Sequence, residues 1–96
     1  MTYFIQLDTE KHLSEERKER SSGAWNVKVK LEVMEEALVE FSQELRSEFP
    51  EIKIKSVFVS FFSMAVELPD ETAKSLAEKV EKKFDCQLVP KKITAG

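Results

Sequence analysis

Along residues 2–7, "TYFIQL", apolar and polar positions alternate. Tyr3, Ile5 and Leu7 share one face; Thr2, Phe4 and Gln6 share the other. Period two with aromatic and β-branched side chains predicts a strand. The next sixteen residues, 8–23, hold one aliphatic side chain, Leu13. A segment with so little to bury does not offset its ordering entropy, so it is expected to be a charged, mobile loop. At most a fraying helical turn is expected around "SEERKER".

Alternation resumes in "AWNVKVKLEV", where Trp25, Val27, Val29, Leu31 and Val33 oppose Asn26, Lys28, Lys30 and Glu32. A second frame crosses it: Val27, Leu31, Met34, Leu38, Phe41 and Leu45 follow the three-four spacing of a helix. The valines and the lysine alternation favour a strand through about Leu31. Beyond it, "VMEEALVEFSQELRSEF" reads as a helix with Met34, Leu38, Phe41, Leu45 and Phe49 as its stripe and Ala37 beside them. Pro50 stops it at or before Phe49.

In residues 51–68, Ile52 and Ile54 alternate with Lys53 and Lys55. Later, Phe62, Met64, Val66 and Leu68 alternate with Ser63, Ala65 and Glu67. One strand of that length would run about 60 Å, longer than the domain is wide. A reversal is required, centred on Ser60, with Ser56 the runner-up. Residues 69–84, "PDETAKSLAEKVEKKF", predict a second helix. Asp70 and Glu71 lie in its first turn, Lys82 and Lys83 in its last, and its stripe is Ala73, Leu76, Ala77, Val80 and Phe84. "CQLVP" predicts a closing strand, and residues 91–96 a flexible tail.

The order predicts an α+β fold of ferredoxin-like, split β-α-β type: a two-layer sandwich of an antiparallel sheet with two helices on one face. Residues 2–7 would add an extra N-terminal strand. Alternatively, they are themselves the first strand of the unit and the first helix starts earlier.

The length of 96 residues fits one domain. A composition of 42% hydrophobic and 34% charged residues fits a globular chain. No apolar run approaches the roughly 20 residues of a membrane span, and the first residues do not read as an export signal. Cys86 is the only cysteine, which favours a reducing, cytoplasmic setting and a small buried hydrophobe rather than a reactive thiol. Net charge is −3, unfavourable for general phosphate binding, and unevenly spread: residues 1–50 carry 7 Lys/Arg against 11 Asp/Glu.

Catalytic groups are scarce. His12 is the sole histidine and falls in the charged loop; Gly23 and Gly96 are the only glycines, so no phosphate-cradling loop is available. Neither an enzyme, a metal site nor a cofactor is expected.

Two surfaces stand out instead. Glu36, Glu40 and Glu44 line one face of the first helix, an arrangement that is mildly self-repelling unless something basic docks there. Val57, Val59 and Phe61 fall opposite Phe58 and Phe62, so the hairpin is apolar on both sides near its corner. Together with Phe4, they are expected to form a contact surface for a larger protein, or for a second copy in a homodimeric scaffold. A rival reading is an RRM-like nucleic-acid platform, with Phe4, Phe61, Lys28, Lys30, Lys53 and Lys55 on the open face. Its aromatic strand signatures are missing and the net charge opposes it.

Residues 61–79, "FFSMAVELPDETAKSLAEK", followed by "CQLVP", resemble the second half of subtilisin-type protease propeptides and their free-standing inhibitor relatives. The pattern is hydrophobic–Ala–hydrophobic–x–Leu–Pro–acidic, met here by Met64, Ala65, Val66, Glu67, Leu68, Pro69 and Asp70. The likeness spans residues 52–92, approximately. It implies a ferredoxin-like inhibitor that docks on a protease through its open sheet face, with Val57, Val59 and Phe61 as contacts and residues 91–96 entering the cleft. The chain departs from that pattern in its longer second helix, its glycine-free corner and its charged insertion at 8–23.

Overall fold

A computed structural model describes residues 1–22 and 27–91. Strand β1 (Thr2–Gln6) precedes helices α1 (Glu15–Ser22) and α2 (Val27–Glu48) and strand β2 (Lys53–Phe58). A 3-10 turn at Val59–Phe61 leads to strand β3 (Ser63–Glu67), helix α3 (Ala73–Phe84) and strand β4 (Gln87–Pro90). The four strands form one antiparallel, open sheet in the order β2-β3-β1-β4. The architecture is α+β.

Alternation in the strands decides which face is buried. Ile5 of β1, Met64 and Val66 of β3 and Leu88 of β4 point into one core with Leu38 and Leu45 of α2 and Val80 of α3. Fully burying a side chain such as Ile5, Leu38 or Met64 contributes about 1.5–3 kcal/mol relative to leaving it in water. Phe84 packs edge-on against Phe41, ring centres 5.0 Å apart, and locks α3 to α2. Both long helices therefore cover the same side of the sheet. The molecule is 17 Å in its thinnest dimension, room for one sheet and one helix layer.

Three expectations are corrected. Residues 27–31 are helical, the opening turn and a half of α2, so Thr2–Gln6 is the first strand and no extra strand exists among the described residues. A helix satisfies its backbone groups internally, whereas a strand there needs a sheet edge; the valines oppose it by only tenths of a kcal/mol each. Trp25 and Asn26, the start of the expected strand, lie outside the described residues. Second, the charged stretch 8–23 contains α1. Ser14 accepts the Arg17 N–H at 3.2 Å as a cap, Glu15 and Glu16 occupy the first turn, and α1 buries no residue of its own. Third, α3 starts at Ala73 rather than Pro69; Asp70 and Glu71 lie in the preceding turn, closed by the Thr72 N–H on Pro69 O at 3.1 Å.

The link from β1 to α1 is pinned rather than solvated throughout. The Asp8 N–H donates to His12 Nδ1 at 2.8 Å, which leaves Nε2 carrying the proton that it donates to Phe84 O at 2.9 Å. Leu13 joins the core. Gly23, the end of the expected loop, and residues 92–96, most of the expected tail, lie outside the described residues.

Candidate docking surface

Opposite the helices, the sheet presents three rows of side chains. Paired positions across the strands give Lys53, Glu67 and Thr2; then Ser56, Ala65, Phe4 and Val89; then Phe58, Ser63, Gln6 and Gln87. The place of Phe58 depends on a β-bulge. Ile54 pairs with Val66, but Ser56, two residues on, already pairs with Ala65. One extra residue, Lys55, shifts the phase and exchanges the faces of everything after it.

The expected assignment of Val57 and Val59 to the open face is therefore corrected. Val57 pairs with Met64, on the helix side, and is exposed only because β2 is an edge strand; Val59 turns down onto the core. Phe58 takes their place. It leans towards Phe4, ring centres 6.5 Å apart at 55°, and the two rings roof over the small side chains of Ser63 and Ala65, which are buried. Phe4 lies on this face as expected. Phe58 remains 39% exposed and Val89 44%.

The corner itself centres on Ser60, the first of the two expected centres, rather than on Ser56. Phe62 closes it with φ 49° and ψ 49°, left-handed backbone that costs a non-glycine residue about 1 kcal/mol or more. Its side chain is buried in the core, its N–H donates to Val59 O, and its carbonyl accepts the Leu7 N–H, both at 3.0 Å. Gln6 Nε2 donates to Phe61 O at 2.9 Å. These ties hold Phe61 outward at 72% exposure, the most exposed large apolar side chain among the described residues.

At the opposite end, the Met1 ammonium donates to Glu67 Oε1 (2.7 Å), Leu68 O (2.7 Å) and Asp70 Oδ1 (2.8 Å). Thr2 Oγ1 donates to Glu67 Oε2 at 2.7 Å, and Lys55 Nζ lies 3.6 Å from the same oxygen. These donors, the ammonium first, pull the Glu67 carboxyl down to about 2, and the hydrogen bonds to Asp70 and Glu67 raise the ammonium. Lys28 and Lys30, expected on this face, lie on α2.

The glutamate row has its basic counterpart inside the molecule. Arg17 grips Glu40 with both terminal nitrogens (2.8 and 2.7 Å), and Arg20 grips Glu36 (2.9 and 3.1 Å). Both carboxyls are held below the usual range by these guanidiniums. Glu44, the third of the row, is exposed.

A cleft of about 570 Å³ opens beside His12, lined also by Asp8, Lys11, Phe61, Asp85 and Cys86. Several of its polar groups already have partners: both His12 nitrogens, Gln6 Nε2, and Lys11 with Asp85 at 3.5 Å. Burial, with Glu81 and Asp85 adding to it, pushes the Cys86 thiol up to about 12, against nucleophilic use. Among the described residues no three metal-ligating side chains converge, and no helix is long and apolar enough to cross a membrane. Comparison with protein-family models, curated proteins and solved structures finds no match to this chain.

Proposed function

We propose that the chain is a non-catalytic protein-binding module, a small inhibitor or regulatory adaptor that engages a larger protein through its open sheet face and hairpin corner. One observation carries this reading: Phe61 is held out to solvent by a corner strained at Phe62, next to the exposed Phe58. Rigid aromatic side chains on a preorganised frame are what protein interfaces use as anchors, because little conformational entropy is lost on docking. Backbone strain kept at such a position fits a functional site.

The strand order, with α2 and α3 each crossing between strands, fits a ferredoxin-like unit in which β1 is the first strand and α1 is inserted before the first crossover helix. Protease propeptides, which residues 61–79 resemble, dock through the same kind of face. Inhibition of a subtilisin by the purified chain would assign the module to that class.

The general reading is tested by placing a photo-reactive phenylalanine analogue at position 58 or 61, or at Lys79 on α3, and exposing each protein to lysate of its source. Adducts with another protein should form from 58 and 61. Unlabelled chain should compete them away, while its Phe58→Asp/Phe61→Asp variant should not. Equal labelling from position 79, or equal competition by the variant, refutes the proposal.

A further inference from the structure

Beyond a docking role for the sheet face, its charge and size say what it accepts. We infer that the open face receives a single acidic segment of a partner polypeptide, one that carries bulky apolar side chains between carboxylates. This rests on the reading of that face as a docking surface.

The chain is acidic overall, yet this face is cationic. Lys53, Lys55 and the Met1 ammonium stand at one end of it. Lys91 joins them: its N–H donates to Thr2 O at 2.9 Å, and strand alternation sets it on the same side as Val89. Against these four cations stand Glu67 and Asp70, and both carboxylates are already engaged by the ammonium. Lys53 and Lys91 have no carboxylate partner among the described residues. Two net positive charges therefore border an apolar strip formed by Phe58, Phe4 and Val89.

The same balance decides among occupants. A second copy placed face to face would oppose two cationic patches with no carboxylate left to answer them, and like-charge juxtaposition is costly. The footprint argues the same way. Four strands at about 4.8 Å spacing and five residues at about 3.4 Å cover roughly 300 Å². A standard interface needs roughly 800 Å² per partner. One extended or helical segment fits that footprint, whereas a whole globular copy does not. A nucleic-acid strand would need ring faces open for stacking, and Phe4 and Phe58 already turn towards each other over Ser63 and Ala65. Two unpaired lysines give a phosphate backbone little to track.

The test is a random 12-residue peptide display library selected on the immobilised full chain, with the selected peptides mapped by amide shifts on labelled protein. Asp and Glu should be enriched at least about twofold over the input, together with Phe, Leu or Trp, and the shifts should fall at Phe4, Phe58, Ala65 and Val89. Lys53→Glu/Lys91→Glu, both exposed, should keep the melting temperature and lose roughly tenfold or more in affinity, as should a rise to high salt. Peptides that map to the face with neutral or basic bias overturn the acidic partner and leave the docking surface standing. Peptides that map to the helix side overturn both. A uridine 12-mer that binds the face more tightly than the best peptide, or sedimentation showing a dimer with broadened face amides, overturns the inference in favour of nucleic acid or a second copy.

Discussion

The two outward surfaces of this thin molecule handle the same problem in opposite ways. On the helix side, two of the three glutamates in the row, Glu36 and Glu40, are answered from within, by Arg20 and Arg17 of α1. On the sheet side, the apolar strip is only half answered. Phe4 and Phe58 cover Ser63 and Ala65, but Val89 is left to water, Phe61 stands out at the hairpin corner, and Lys53 and Lys91 have no carboxylate partner among the described residues. Charge repulsion along a helix costs tenths of a kcal/mol and is relieved by one short polar helix. Exposed aromatic area needs a roof of comparable size, and the described residues hold no second helix layer to supply one. A surface relieved from within is weak ground for a binding site; one left uncovered is stronger ground.

That contrast can be broken most severely at the corner. Phe61→Ser and Phe62→Ala remove neighbouring rings of the same kind. Phe62→Ala should cost about 3–5 kcal/mol in denaturant unfolding, because it empties a core position. Phe61→Ser should change stability by less than about 0.5 kcal/mol while abolishing partner cross-linking. Similar costs for the two would mean that Phe61 is part of the core rather than an anchor.

The helix side should respond more gently. Arg17→Ala with Arg20→Ala should melt α1, read as loss of amide protection across residues 15–22, and leave the global unfolding midpoint nearly in place. High salt should mimic the double substitution, since these pairs are exposed. If instead the whole protein loses cooperativity, α1 is part of the core's support and the helix side is not self-contained.

The smallest effect is a pH window at the β1–β3 end. The folded Glu67 carboxyl lies at about 2, below its ordinary 4.5, so its contribution is complete above 4.5 and fades as pH falls through 2. The Met1 ammonium is raised above 8.0, so its contribution is complete below 8.0 and fades as pH climbs through the raised value. Amide protection at Thr2 and Leu68, relative to the intrinsic exchange rate at each pH, should be greatest between those limits. Acetylating the α-amine should remove the alkaline limb and, because the ammonium is first among the groups that depress Glu67, move the acid limb up towards 4.5; an unchanged profile after acetylation would show that the tie contributes nothing.

Much of this was readable in the residues. The stripes from Met34 to Phe49, along α2 and one residue past its end, and of α3 from Ala73 to Phe84 repeat at helical spacing, and both pack on the core. Length alone called for a reversal, and of the two serines offered as its centre the chain turns at Ser60 rather than Ser56. The valines at 27, 29 and 33 misled because β-branching is a weak preference, which yields once no sheet edge adjoins them. α1 was expected as no more than a fraying turn because nothing in it is buried; its support is a serine cap and two arginine forks, one reaching 23 residues along the chain and the other 16. The candidate surface was half legible. Phe4 stands where alternation placed it, whereas the bulge at Lys55 exchanged Val57 for Phe58, and Phe61 lies in the 3-10 turn, outside any strand register. Two-sided greasiness at 57–59 was the trace of that phase change.

The bulge has a second effect, on behaviour in bulk. β2 is an edge strand whose outward N–H and C=O groups could seed fibril growth beside a greasy corner. An interrupted ladder, twisted locally and bracketed by two lysines, gives an incoming strand no continuous register to copy. Deleting Lys55, which would restore the continuous ladder, is therefore expected to raise the tendency of the exposed edge to pair with other copies.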